Sequence, residues 1–414
     1  MKLPLFSALG SPFFFFGAPR GNVASAGSED GGKREFTPLE SMLNKPSLKF
    51  LITLAFAVLL GVNSVAAADI SKTPPFLAGE TVCFLGDSIT KGGAYQKLVE
   101  LFYAVRFPER AITFKNCGVG GDRASAMVGA ATFRLEVDVF SHRPSVVTVM
   151  LGMNDVERKL YDPRLPGGVD LEVKREAALE TYLLSMRSLV TRIQSAGARV
   201  VLISPSVYEE TASMDTPPVL KGVNGALAKC SEMLRGLARE LDVPFVDVHG
   251  EMNTVNLQEQ SRNPAFSITG AGQSWNDRVH PGPAGHYLIA RALLRAQGFE
   301  LDEPALPATE NRVPALGPVP PSVFDLGEQR RKLGEQLREL ATLRYAMAKE
   351  GLDPMAPGAF STWLSGRRAG MEGKGQQAPW IVKAEAQLPR EDELKARFEA
   401  LADEMRDRAA RPRP

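Results

Sequence analysis

Between Thr81 and Gly298 the chain alternates short apolar runs with longer amphipathic ones, and that alternation limits what it can fold into. The short runs are Thr81–Leu85, Ala111–Asn116, Ser145–Leu151, Arg199–Ile203 and Pro244–Val248. They are nearly unbroken in apolar character, as strands covered on both faces are; a half-exposed strand would alternate. The segments between them, Tyr95–Phe107, Ala124–Phe140, Glu172–Ala196 and Asn224–Leu241, carry a helical period. A fifth helix is expected at Pro283–Gln297, with Pro283 near its start and Gly298 just past its end. Alternating β and α at this spacing predicts an α/β fold, a parallel sheet between helical layers.

After Gly298 the character changes. Residues 301–324 are rich in proline and read as an extended linker. Beyond it, Leu333, Leu337, Leu340 and Met347 fall on one helical face, and Leu394, Phe398, Leu401 and Met405 repeat the pattern. Two amphipathic helices are expected over 325–414. Each stripe is short for a free coiled coil, which favours packing on the main domain over dimerisation.

The other end carries an export signal. Lys45 and Lys49 precede an apolar run from Phe50 to Val62, and Ala66-Ala67-Ala68 comes after it. A charged start, an apolar stretch short for a spanning helix and an Ala-x-Ala site predict a signal peptide cleaved after Ala68. Met42 stands just before it, so residues 42–68 read as the signal and residues 1–41 as an upstream extension that is not native. Export then leaves a mature chain that is periplasmic or extracellular and not held in a membrane. The formal net charge is +1, with 44% hydrophobic and 23% charged residues, so nothing in the composition points to nucleic acid as a partner. Cys83, Cys117 and Cys230 match neither a metal-ligand spacing nor a disulfide framework.

The chemistry lies where the strands end. In "TVCFLGDSIT" the first strand runs into Gly86-Asp87-Ser88, and open α/β sheets bind ligands at the carboxyl ends of their strands. Three more polar clusters come in order: "NCGVGGDRAS" from Asn116, "LGMNDV" from Leu151 and "WNDRVHPGPAGH" from Trp275. Each is an ordinary turn sequence alone. Together they hold the parts of an acyl-transfer site. Ser88 can be a nucleophile, His280 its base, and Asp277, three residues earlier, the carboxylate that orients the imidazole. The Ser88 N–H, a glycine N–H from the second cluster and the Asn154 amide can face a developing oxyanion.

This ordered set resembles the SGNH, or GDSL-type, hydrolase superfamily over residues 78–298. The first block matches as Gly86-Asp87-Ser88, with Ile89 where many members carry leucine. The family's glycine falls on Gly121, its asparagine on Asn154, and its Asp-x-x-His block on Asp277-Arg278-Val279-His280. The resemblance implies a three-layer α/β/α, flavodoxin-like fold over 69–300. It also implies hydrolysis of esters without metal or cofactor, with Ser88, Asp277 and His280 catalytic and Ser88, Gly121 and Asn154 forming the oxyanion hole. Asp87 is expected to bond backbone amides around its turn, and Asp155 to cap the segment after it. His249, two residues after Asp247, offers a second Asp-x-His pair or reads as a strand-end histidine bonded to backbone, the reading favoured because Asp277 and His280 complete the set; His286 reads as packing and His142 as solvated.

For the substrate, the loop "VERKLYDPRLPGGVDL" after Asn154 offers Arg158, Tyr161 and Arg164, and Trp275 sits beside the His280 block. Loops over an active site carry binding residues, so these are the candidate substrate contacts. The expectation is an exported serine esterase acting on small acyl groups of carbohydrate. Its rivals are a lipase, lysophospholipase or thioesterase on longer chains, and a noncatalytic carbohydrate-binding or scaffold protein.

Overall fold

Five apolar segments pair into one parallel sheet. They are β1 (Thr81–Gly86), β2 (Thr113–Gly118), β3 (Val146–Met150), β4 (Arg199–Ile203) and β5 (Phe245–Val246), in the order β2-β1-β3-β4-β5. Every pairing is parallel. This is the flavodoxin-like order, with its switch point beside β1. All of β3 and all but the first residue of β1 are buried, which explains their unbroken apolar character. The computed structural model describes residues 70–128, 133–214, 219–270, 277–301 and 319–411. The signal peptide, the upstream extension, Trp275 and most of the linker lie outside the described residues.

The helices of this region are α1 (Ser88–Lys91), α2 (Ala94–Arg106), α3 (Ala124–Val128), α4 (Phe133–Asp138), α5 (Val169–Ser195), α6 (Val223–Leu241), α7 (Val248–Gln260) and α8 (Pro283–Ala296). They flank the sheet in packed groups, α2 with α8 and α5 with α3 and α6. Within the helix expected over Ala124–Phe140, the described residues form α3 and α4. One expectation needs correction. The fifth strand is only two residues long, because the Asp247 carboxylate accepts the Gly250 N–H at 2.9 Å and starts α7 at once.

Among the described residues the C-terminal region holds four α-helices: α9 (Pro321–Lys349), α10 (Ala359–Glu372), α11 (Pro379–Gln387) and α12 (Glu391–Ala410). Two were expected. The extra pair, α10 and α11, packs Phe360, Trp363, Leu364 and Ile381 against Leu340 and Met347 of α9. α9 and α12 dock on α2 through Val323, Leu326, Leu401 and Met405 against Leu101 and Ala104. The C-terminal region thus packs on the main domain, as its short stripes predict. The end of the expected linker, from Pro321 on, is already the first turn of α9.

β2 is an edge strand, and edges expose unpaired backbone groups. α9 covers this one. Buried Arg330 donates to the Phe114 carbonyl at 3.2 Å and buried Arg338 to the Gly118 carbonyl at 3.0 Å. Eight helical residues rise about 12 Å and four strand residues about 13 Å, so a helix alongside the strand meets outward carbonyls of the same strand face with arginines two turns apart.

Candidate active site

Register brings Gly86, Gly118 and Met150 level at the carboxyl edge of the sheet. Asp87 comes after Gly86 as the N-cap of α1, its buried carboxylate accepting the Ile89 N–H at 2.9 Å. That bond turns the chain and makes Ser88 the first helical residue, so Asp87 has the structural role expected of it. Burial pushes its carboxyl pKa up to about 6, against the lowering effect of the Ile89 N–H.

His280 Nε2 lies 2.9 Å from Ser88 Oγ, and His280 Nδ1 lies 2.6 Å from Asp277 Oδ2. The other Asp277 oxygen accepts the backbone N–H groups of Val279 at 2.9 Å and His280 at 2.7 Å. One carboxylate therefore shapes its own turn and orients the ring within it. Burial pushes the Asp277 carboxyl up, but the bonds from the His280 ring and the His280 and Val279 amides outweigh it and hold its pKa below the usual range. The turn is anchored by Gly270 N–H to the His280 carbonyl and Gly282 N–H to the Ile268 carbonyl, both at 2.9 Å.

On the other side of Ser88, Asn116 joins β2 to α1. Its amide donates to the carbonyls of Thr90 at 3.0 Å and Lys91 at 3.1 Å, and its oxygen accepts the Gly118 N–H at 2.9 Å. A side chain at Gly118 would collide with the Lys91 backbone, so this approach requires glycine. Gly121 has φ 73°, in the left-handed region, with open space where a side chain would stand. The Asn154 amide donates to the Asp122 carbonyl at 3.0 Å and lies 3.4 Å from Asp87 Oδ2. The structure thus brings Ser88, Asp277 and His280 into one hydrogen-bonded chain and sets Asn154 against both the Asp87 turn and the loop of Gly121.

The loop after Asn154 differs from expectation. Arg158 donates to the Met153 carbonyl at 2.6 Å and to Asn154 Oδ1 at 3.2 Å, so its guanidinium orients Asn154. Tyr161 is buried, with the Arg175 guanidinium 4.3 Å above its ring, and serves packing. Arg164 is exposed and pairs with Asp162 at 2.6 Å. Asp155 caps a helix that precedes it in the chain: its Oδ1 accepts the Ala124 N–H at 2.8 Å at the start of α3. Its Oδ2 is buried without a hydrogen-bond partner, and burial pushes its carboxyl pKa up to about 7.

The rival histidines separate cleanly. His249 sits in the first turn of α7, its N–H donating to Ser204 Oγ at 2.8 Å and its Nε2 3.2 Å from Asn224 Oδ1. Asp247 instead caps α7 and binds Arg235 at 2.6 Å, so no Asp247–His249 pair forms. His286 is buried with its ring stacked 6.4 Å from that of Tyr95. His142 is half-buried rather than solvated, and burial lowers its pKa. It approaches Cys117 and Asp138 closely enough, within 4.8 Å, for the three to hold a cation. Asp138, however, already pairs with the guanidiniums of Arg134 and Arg338, which leaves little negative charge for an ion.

Sequence reasoning did not find Arg134, Asp138 or Arg338. The Arg134–Asp138 pair has i, i+4 spacing, a signal equally common on exposed helices. Nothing local marks Arg338.

Residues 84–288 match the GDSL-like Lipase/Acylhydrolase family. An acetylxylan esterase from Geobacillus stearothermophilus is 30% identical over 239 residues, which are 54% of this chain and 96% of that esterase. A crystal structure of that esterase aligns at 28% identity with a TM-score of 0.41, over 54% of this chain and 96% of its own. A gut microbial diltiazem-metabolizing enzyme shares the fold with a TM-score of 0.68 at 20% identity, over 82% of this chain and 97% of its own. The chain belongs to the GDSL-like lipase/acylhydrolase family and is an ester-hydrolysing serine hydrolase.

Proposed function

We propose that this chain is an exported esterase that removes small acyl groups, acetyl foremost, from carbohydrate through a Ser88–His280–Asp277 triad. The observation that carries the triad is the continuous hydrogen-bond chain from Ser88 Oγ through the His280 ring to Asp277, at 2.9 and 2.6 Å. Ser88 Oγ attacks the ester carbonyl while His280 Nε2 takes its proton. Asp277 holds the tautomer with Nδ1 protonated and stabilises the imidazolium. The N–H groups of Ser88 and Gly121 and the Asn154 amide receive the oxyanion. The weak 3.4 Å contact to Asp87 leaves one Asn154 N–H free to turn to that oxygen. His280 then protonates the leaving alcohol, and water, activated by the same ring, releases the acid from Ser88.

The small-acyl, carbohydrate reading draws on the acetylxylan esterase that this chain matches over nearly that protein's whole length. Catalytic mutants of that esterase at a serine, an aspartate and a histidine have been solved. Export draws on the apolar segment and Ala-x-Ala site before Asp69. The test is hydrolysis of p-nitrophenyl esters from acetyl to long-chain acyl by residues 69–414, beside Ser88→Ala. Turnover should fall steeply with chain length and vanish in Ser88→Ala, and acetylated xylan should then release acetate. Turnover that rises with chain length would move the substrate to lipids. Equal inertness of both proteins on every ester would overturn the esterase reading.

A further inference from the structure

The C-terminal helices reach the active site through a line of buried charges. Arg338, on α9, is buried and donates to the Gly118 carbonyl at 3.0 Å. The same guanidinium pairs with both oxygens of Asp138, at the end of α4, one contact being 2.7 Å. Asp138 also pairs with Arg134, whose side chain is fully buried. Arg134 donates to Asp122 Oδ2 at 3.1 Å and to the Cys117 carbonyl. Asp122 comes after Gly121, and its carbonyl receives the Asn154 amide at 3.0 Å.

Two arginines therefore grip both ends of the loop from Cys117 to Asp122. Arg338 and Arg134 hold its start by the adjacent carbonyls of Gly118 and Cys117. Of the two, Arg134 holds its end, by the Asp122 carboxylate. Between the ends, Val119 is buried and its N–H donates to the Gly86 carbonyl at 3.0 Å, but Gly120 and Gly121 have no side chains to pack, so the stretch before Asp122 depends on contacts from outside the loop. Burial pushes Asp138 up, yet the two guanidiniums outweigh that and hold it below the usual carboxylate range, so the line stays charged. Asp138 alone joins Arg338 to Arg134, and a planar guanidinium is the group that can grip a carboxylate and a carbonyl at once.

We propose that the C-terminal helical region is a working part of the oxyanion hole, with Arg338 a positioning residue that fixes the Gly118–Asp122 loop through Asp138 and Arg134. This deepens the acyl-transfer reading above and rests on it. Helix α9 then does more than cover the edge of β2. It presents one arginine, Arg330, that only docks it, and a second, Arg338, that acts on catalysis. Arg330 binds Glu100 at 2.8 Å and the carbonyls of Phe114 and Phe398, with no contact to the loop.

That difference supplies the test. Arg338→Met, Arg338→Lys and Arg330→Met would be compared in the full chain, with kcat and KM on p-nitrophenyl acetate taken well below each melting temperature. Hydrogen exchange of the peptide spanning 118–123 would be read in parallel. Arg338→Met should lower kcat about ten- to a hundred-fold with KM nearly unchanged, since a misplaced reactive group costs rate. Arg338→Lys, which keeps the charge and loses the fork, should lie between it and wild type. Exchange over 118–123 should quicken in the same order. Arg330→Met should lose melting temperature and keep kcat within about two-fold. If Arg338→Met does not fold, Arg338→Lys decides by the same split. An unchanged kcat, or an equal loss in Arg330→Met at equal folded fraction, would overturn the proposal. Exchange reads the network whether or not ester is turned over. A wild type inert on esters but with loop exchange that tracks Arg338 would sink the acyl-transfer reading alone, and unchanged exchange would sink this one.

Discussion

Asp277 and His280 are three residues apart and hold each other. Asp122, on the other side of Ser88, is held by Arg134, which shares Asp138 with Arg338, a residue 200 positions further along the chain. The Asp277–His280 turn is stabilised by one carboxylate bonding within it, and both side chains lie partly open to solvent. The loop of Gly121 is stabilised by ion pairs buried in the protein and by a helix from the C-terminal region. The first arrangement is local, so its loss should leave the fold intact. In the second, removing a partner leaves an uncompensated charge inside.

That contrast can be broken most directly by removing one group from each side. Asp277→Ala should cost about ten-thousand-fold in kcat, with the melting temperature within a few degrees of wild type. Arg134→Met should destabilise the fold by about 3–5 kcal/mol, because Asp122 and Asp138 lose a shared buried partner, and should lower kcat as well by freeing the loop of Gly121. Thermal melts beside turnover on p-nitrophenyl acetate read both. If Asp277→Ala melted as low as Arg134→Met, the division into a local and a distributed half would be wrong.

Asn154 lies on the distributed side and touches the Asp87 turn as well as the Asp122 carbonyl. Asn154→Ala should lower kcat about a hundred- to a thousand-fold, the cost of one oxyanion donor. Arg158 acts on that amide from behind. Arg158→Ala should lower kcat about ten-fold with KM little changed. A rise in KM alone would instead return Arg158 to the substrate contact that its loop position first indicates.

The smallest effect concerns Asp155, whose carboxyl burial raises to about 7. The folded protein keeps a proton there that the unfolded chain releases near pH 4. Its contribution to stability is therefore present at low pH and is lost as pH rises from about 4 through about 7. Asp155→Asn keeps the acceptor for Ala124 and carries no charge. It should raise the melting temperature by several degrees at pH 8 and leave it nearly unchanged at pH 5. A shift of equal size at both pH values would show that Asp155 is not a buried acid.

The same contrast explains which features are legible in the sequence. Strands β1, β3 and β4 are legible because burial on both faces writes itself into every residue. The Asp277–His280 pair is legible because the two lie within one turn and lead into Pro281. Helix α7 is not: its start depends on Asp247 meeting Gly250, in a segment with little helical period. The role of Arg158 is hidden because a loop arginine reads as exposed until its partner, Asn154, is seen. The role of Arg338 is hidden more deeply, since its partners are a carbonyl at the end of β2 and a carboxylate at the end of α4. Local periodicity carries no trace of such a pairing. The amphipathic stripe of α9 shows that it docks and not what it holds.

The most direct measurement is covalent labelling by a fluorophosphonate, mapped by peptide mass spectrometry and tracked against loss of ester hydrolysis. A serine activated by His280 and faced by the oxyanion donors should take one label per chain, on Ser88, in step with inactivation. Asn154→Ala should slow the reaction and Ser88→Ala should abolish it. Label on another residue, or ester hydrolysis that persists once Ser88 is fully modified, would contradict Ser88 as the nucleophile.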